Sequence, residues 1–171
     1  MPWRRSTKIQ AGLLAANVVF WGAILGWTVT VDEDDIDPPD HLDDPAFAQA
    51  AEPICADAVA TLEARDLLHP TPDSAEERAD IVDASNAVLA AMVDDLGALE
   101  RPAGDEGDWV GLWLRDWEQH IADRQAWADG LREGDDGPFT ETARGGEQLS
   151  RVIDNFAEVN DMPSCATTHD V

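Results

Sequence analysis

The chain has little positive charge and few histidines and cysteines, and both scarcities limit what it can do. Eleven lysines and arginines stand against 36 aspartates and glutamates, which gives a formal net charge of −25. A nucleic-acid partner is excluded, because its phosphates would be repelled rather than neutralised. Two cysteines and four histidines, scattered along the chain, form no tetrahedral ligand set. We therefore expect no metal and no cofactor.

Catalytic signatures are also missing. The sequence holds no glycine-rich phosphate loop, no His-Glu-x-x-His and no Gly-x-Ser-x-Gly. Asp116 and His120 are four residues apart on one predicted helix, but two ligands are too few for a metal, and a surface contact between them is the simpler interpretation. Glycosidases use a pair of carboxylates, but in a chain this acidic such pairs are expected by chance and do not indicate that activity. We predict a protein that is not an enzyme.

Charge is absent altogether from one long stretch, Ile9 to Val31. At about 1.5 Å per residue, a helix of this length spans roughly 34 Å, enough to cross a hydrocarbon core of about 30 Å. Three basic residues precede the stretch and Asp32-Glu33-Asp34-Asp35 follows it. The positive-inside rule then predicts a cytoplasmic segment at residues 1–8, a single transmembrane anchor at residues 9–31 and an extracytoplasmic remainder.

The anchor is predicted to be retained in the cell membrane. A secretory signal has an apolar core of about 7–15 residues followed by an Ala-x-Ala-like site, whereas this run is longer and lacks that site. No cysteine lies near its end, which excludes a lipoprotein. Gly22 and Gly26 match the small-residue pattern of paired membrane helices, so a weak homodimer through them is one interpretation. The same spacing also occurs in helices that stay single.

Residues 32–44 read DEDDIDPPDHLDD and are predicted to form an acidic, proline-stiffened linker. The remaining residues, 45–171, show helical periodicity and no strand-like alternation, which predicts an all-α fold, an antiparallel up-down-up-down four-helix bundle. The four predicted helices lie at residues 46–67, 73–99, 108–132 and 139–161.

Cys55 and Cys165 both fall on the predicted outer side, where an oxidising compartment favours a disulfide. In an up-down-up-down bundle the end of the fourth helix returns to the start of the first. Cys55 lies near the first helix's start and Cys165 lies just past the fourth helix's end, so the two cysteines should meet. Two buried free thiols are the alternative.

Four of the seven tryptophans lie in the third predicted helix. Trp113, Trp117 and Arg124 share one helical stripe, and His120 and Trp127 flank it. A guanidinium on an apolar face needs a partner. Glu147, about level with Arg124 on the fourth predicted helix, is the first expected partner, and Asp154, Asn155 and Asn160 further along that helix are the alternatives.

The neighbouring Gly145 and Gly146 would let the third and fourth helices approach closely. Two interpretations of the tryptophan helix then stay open. One is a core helix whose arginine is held by an ion pair. The other is a groove for a partner peptide, glycan or lipid headgroup, since tryptophan and arginine dominate binding hot spots. That groove would be lined by Trp113, Trp117, His120, Arg124 and Trp127.

Several short pieces of the sequence carry a resemblance. They are Arg78-Ala79, Trp113-Leu-Arg-Asp-Trp117, Asp123-Arg124, Phe156-Ala157 and Asn160-Asp-Met-Pro-Ser-Cys165. With the single N-terminal span, they make most of the chain resemble small uncharacterised membrane proteins of high-GC Gram-positive (actinobacterial) bacteria. The resemblance implies the membrane location and the paired cysteines, and it carries over no activity.

The leading hypothesis from the sequence is therefore a non-enzymatic interaction or accessory protein of the cell envelope, with an envelope protein as its partner. The alternative is a module that binds a small ligand, glycan or lipid headgroup in the groove of the third helix. An exposed, concave site at the tryptophan helix would favour the alternative.

Overall fold

The computed structural model describes residues 40–168. The predicted anchor at residues 9–31, the Gly22 and Gly26 pair and most of the predicted linker lie outside the described residues. Within residues 40–168, no helix is long and apolar enough to cross a membrane.

The described chain is mostly helical, which confirms the predicted class in its broad form. The described residues form four α-helices, one small antiparallel sheet between the third and fourth helices, and one short 3-10 helix after the fourth. The α-helices are α1 (Ala46–Ala64), α2 (Ala75–Gly97), α3 (Asp105–Glu133) and α4 (Leu149–Val159); the strands are β1 (Ala143–Arg144) and β2 (Glu147–Gln148); the 3-10 helix is Pro163–Cys165.

Local signals explain where α2 begins and α3 ends. The Ser74 hydroxyl accepts a hydrogen bond from the Glu77 amide at 3.1 Å, and the Glu77 carboxylate accepts one from the Asp73 amide at 2.7 Å. These contacts satisfy backbone donors that the first helical turn leaves without partners. α3 stops at Gly134, whose φ of +90° is a left-handed cap that glycine adopts without steric cost.

The fourth helix is shorter than predicted, because α4 begins only at Leu149. Gly145 and Gly146 have φ of +65° and +90°. Two successive positive values fit the two-residue turn of a tight hairpin and are incompatible with a right-handed helix. β1 and β2 pair across this turn. Both glycines point into open space, so the expected close approach of two helices there is wrong.

Aromatic side chains from α1 and α4 pack against Trp113 of α3 in the core. Trp113 stacks on Phe156 of α4 at 5.2 Å between ring centroids and meets Phe47 of α1 edge-on at 6.4 Å. Its indole N–H donates to the Ile153 carbonyl at 3.3 Å. A single tryptophan therefore ties three helices together.

The predicted disulfide between Cys55 and Cys165 is confirmed, with 5.0 Å between the two Cα atoms. The bond fastens the 3-10 helix to α1, and this short helix also contacts α4. It thereby connects the first and the last helix of the chain. Both cysteines are fully buried.

Residues 40–44, at the end of the predicted linker, contact the C-terminal end of α4. Leu42 is only 3% exposed, and its amide donates to the Asn160 side chain at 2.8 Å. The same side chain donates to the Asp40 carbonyl at 3.0 Å. The side chain and the backbone amide of Leu42 therefore hold residues 40–44 against the helices. These residues were predicted to belong to the linker because they are acidic.

Candidate functional site

The guanidinium of Arg124, on the tryptophan-rich helix α3, is buried at the contact between α2 and α3. Arg124 is 1% exposed; its Nε donates to Asn86 Oδ1 at 2.8 Å, and its Nη2 donates to Ser85 Oγ at 2.6 Å. The predicted partner, Glu147, is not among these contacts and pairs with Arg151 at 3.2 Å. The prediction placed Glu147 on a helix, whereas it lies on the hairpin.

The other predicted site residues divide into two groups. Trp113 and Trp117 are 1% exposed and His120 is 4% exposed, so with Arg124 they belong to the interior of the fold. The Trp117 indole nitrogen is buried and has no hydrogen-bond acceptor within residues 40–168. Trp127 differs, because its ring is only half-buried. Of the five residues, Trp127 is the one that solvent reaches substantially.

A polar strap, residues 138–148, runs from the end of α3 to the start of α4 and fastens across α3. Thr142 donates its backbone N–H to Asp123 at 2.6 Å, and Arg144 donates to Asp116 at 2.5 Å. The sequence predicted a surface contact between Asp116 and His120. Instead, Asp116 is 5% exposed and pairs with Arg144. Burial raises the pKa of Asp116, and the charge of Arg144 opposes that rise.

Glu141 of the strap lies beside the buried His120. Its Oε2 lies 3.3 Å from His120 Nδ1, and both of its oxygens accept hydrogen bonds from Ser150 at 2.7–2.8 Å. Burial lowers the pKa of His120, the nearby charge of Arg124 lowers it further, and Glu141 opposes the change. The neutral imidazole is therefore the form that the fold favours.

A polar pocket of about 270 Å³ opens beside this group. It is bordered by the side chains of His120, Arg124, Phe139, Glu141, Ser150 and Thr167. A base, a carboxylate and a hydroxyl come together there, but the Ser150 hydroxyl donates to Glu141. The arrangement suits hydrogen bonding to a small polar molecule more than nucleophilic attack.

A second concavity, the Trp127 groove, has a volume of about 510 Å³ and is mostly apolar. Its walls are Pro70, Pro72, Pro138, Trp127, Phe139 and Arg78. Ile81 and Val82 of α2 complete the lining. The volume falls within the range of small-ligand sites, about 300–1,000 Å³.

Fixed contacts hold the aromatic wall of the groove in place. The Trp127 indole N–H donates to the Gly137 carbonyl at 2.9 Å. The Phe139 ring lies 5.8 Å from Trp127 on one side and 6.0 Å from His120 on the other. Phe139 is thus a shared wall between the Trp127 groove and the polar pocket.

Several of these residues were not found from the sequence. Glu141, Arg144 and Ser150 fall within residues 139–161, which the sequence predicted as one helix, and they were not predicted as site residues. The available signal was Gly145-Gly146, a dipeptide typical of two-residue hairpin turns, after the alternating Thr140-Glu141-Thr142. Arg78 carried no local signal, since its neighbourhood depends on three separate segments.

No group of three or more His, Cys, Asp or Glu side chains within residues 40–168 is arranged to hold a metal ion. Comparison with protein-family models, with curated proteins and with solved structures finds no match to this chain.

Proposed function

We propose that this chain is a single-span membrane protein that holds a helical bundle on the extracytoplasmic side and works there as a non-enzymatic interaction or accessory protein. The uncharged run at residues 9–31, with bases before it and acids after it, supports the topology. The Cys55–Cys165 disulfide supports an oxidising compartment for the bundle.

The bundle is antiparallel and up-down-up-down in this proposal, and contacts between successive helices support it. Arg132 near the end of α3 bonds Asp80 and Asp83 near the start of α2, while Gln125, further back in α3, bonds Asp83 and approaches Asn86. At the other interface, Trp113 near the start of α3 contacts α4 in its second half. The two helices of each pair, α2 with α3 and α3 with α4, therefore run in opposite directions.

The observation that carries the interaction function is the position of the Trp127 groove. The groove involves the start of α2 and the end of α3, whereas residues 40–44 lie beside the start of α1 and the end of α4. From Ile81 to the end of α2 at Gly97 is about 24 Å of helix, at about 1.5 Å per residue. A tethered bundle would then hold its accessible aromatic groove away from the segment that leads to the membrane.

A chemical crosslink in the native membrane tests this proposal. The photoreactive residue p-benzoylphenylalanine replaces Ile81 inside the groove, and in a matched strain it replaces Ala60, an exposed residue of α1. We expect a discrete adduct from position 81 that Trp127→Ala abolishes and that position 60 does not give. Absence of any adduct specific to position 81, or protection of the bundle from protease added to spheroplasts, would refute the proposal.

The polar pocket supports the alternative, a module for a small ligand, glycan or lipid headgroup. Its lining includes His120 and Arg124, two residues that the sequence singled out for this role. Thermal unfolding of the full chain in mild detergent with N-acetylglucosamine or glycerol 3-phosphate separates the two functions. A saturable rise in melting temperature that His120→Gln removes would favour the alternative.

A further inference from the structure

The Trp127 groove has a charge opposite to that of the rest of the chain. Arg78 is the single charged residue among the eight that line it, and no acid is among them. This is unusual in a protein with 36 acidic and 11 basic residues. The groove is therefore a local site for a negative group on a surface that otherwise repels one.

Arg78 also has its hydrogen-bonding capacity to spare. The side chain is exposed, and no ion pair or side-chain hydrogen bond engages its guanidinium anywhere in the described range 40–168. By contrast, Arg124, Arg132, Arg144 and Arg151 all have polar partners. A guanidinium of this kind can receive a carboxylate in a bidentate contact.

Five of the other seven lining residues carry rigid rings. Three proline rings, an indole and a phenyl ring surround an open concavity, and the indole is fixed by its bond to Gly137. Aromatic-lined grooves of this type suit extended, proline-containing peptides, which are themselves stiff and lose little entropy on binding.

We infer that the Trp127 groove binds an extended, proline-containing peptide segment of a partner protein, apolar except for one carboxylate that pairs with Arg78. This inference rests on the proposed interaction function and names the chemistry of its partner. The high negative charge of the chain selects against peptides with several acids. A single carboxylate in contact with Arg78 is attracted by the guanidinium. Salt screens this attraction little, because the two charges lie closer together than the screening length of about 8 Å.

Other ligand classes fit the groove less well. A glycan needs several hydrogen-bonding groups around a stacked ring, whereas Arg78 is the one polar side chain of the lining. An acyl chain needs a closed tunnel that shields it from water, whereas this concavity is open to solvent. Binding of a glycan or a fatty acid in place of the peptide is therefore an outcome that contradicts the inference.

The test uses the full chain in a neutral detergent and the hexapeptide amide Ile-Pro-Asp-Pro-Pro-Leu-amide, whose N-terminus is acylated with an uncharged coumarin dye, and binding is followed by fluorescence anisotropy. Matched peptides carry asparagine or lysine in place of the aspartate. We expect saturable binding of the aspartate peptide that is about two- to five-fold tighter than that of the asparagine peptide. Trp127→Ala should weaken it at least about ten-fold, as expected for an aromatic anchor.

The control for net charge is Arg65→Ala, which removes an equal charge from an exposed position of the chain outside the groove. Arg78→Ala should weaken the aspartate peptide about two- to five-fold and leave the asparagine peptide unchanged, whereas Arg65→Ala should affect neither. Equal effects of the two arginine variants, equal binding of the lysine peptide, or no saturable peptide binding up to about 5 mM would overturn the inference. So would competition by N-acetylglucosamine or by lauric acid.

Failure of this inference is distinguishable from failure of the proposed function. An adduct from position 81 in membranes without peptide binding in detergent would retain the interaction role and reject the peptide chemistry. Absence of both would reject the two together.

Discussion

Replacement of Arg124 by alanine is the sharpest test of how the tryptophan helix is used. The guanidinium is 1% exposed and donates two hydrogen bonds to α2, at 2.6 and 2.8 Å. Hydrogen bonds from a charged group contribute about 1.5–3 kcal/mol each, and removal of one partner from a buried charged network costs about 3–5 kcal/mol. We therefore expect Arg124→Ala to lower the free energy of unfolding by about 3–5 kcal/mol.

That loss is large against the total stability of a typical domain, about 5–15 kcal/mol. It should be measured by urea unfolding of the full chain in mild detergent, followed by tryptophan fluorescence, with the slope of the transition compared between variants. Arg124→Met refills most of the lost volume, so the difference between the two variants separates the cavity from the hydrogen bonds.

Two further variants make the reasoning refutable. Arg115→Ala removes an exposed arginine from the same helix and should change stability by less than about 0.5 kcal/mol. A double-mutant cycle between Arg124 and Asn86 should give a coupling energy above about 1 kcal/mol. If Arg124→Ala unfolds within about 0.5 kcal/mol of the parent, Arg124 is not a structural bridge and the assignment is wrong.

Three other measurements follow from the described contacts. Replacement of both Cys55 and Cys165 by serine should cost about 4–5 kcal/mol, because the bond closes a loop with a sequence separation of 110; an unchanged melting temperature would contradict this. The folded state lowers the pKa of His120, so it resists a proton that the unfolded state accepts below about pH 6.5; stability should fall between pH 7 and 5 by at most about 1.4 kcal/mol per unit, and His120→Gln should flatten this slope. Gly146→Ala should cost about 1–3 kcal/mol because of its φ of +90°, whereas Gly97→Ala, in open space at the end of α2, should be neutral or stabilising.

Signals confined to a few residues predicted the helical class and the number of helices in the described residues. The Ser74 cap, the helical stripes and the turn residues located the first three helices closely, since each depends on the nearest turn of chain. The disulfide was predicted because the helix order brings Cys55 and Cys165 to the same end. The stretch through Gly145-Gly146 was wrongly predicted as helical because a helical stripe continues past it, although the turn preference of the pair is stronger than that periodicity.

The site was harder to predict, because its residues come together through tertiary contacts. The need of Arg124 for a polar partner was predicted correctly, but Ser85 and Asn86 of α2 were not among the predicted partners, since the choice between α2 and α4 depends on helix rotation. The burial of Trp113 follows from packing against α1 and α4, which one helix's sequence does not encode. Trp127 and Arg78 lie 49 positions apart, and nothing local to either one indicates that they line the same groove.

The disulfide also determines what a single protease cut can do. All three connections between successive α-helices lie between Cys55 and Cys165, so a nick in any of them leaves two fragments joined covalently. The N-terminal segment would therefore keep hold of the whole helical unit after such damage, and the two pieces would separate only under reduction. Release of the intact unit by one cut requires cleavage on the N-terminal side of Cys55. After a single cut, the bond thus keeps the helical unit covalently joined to the N-terminal segment.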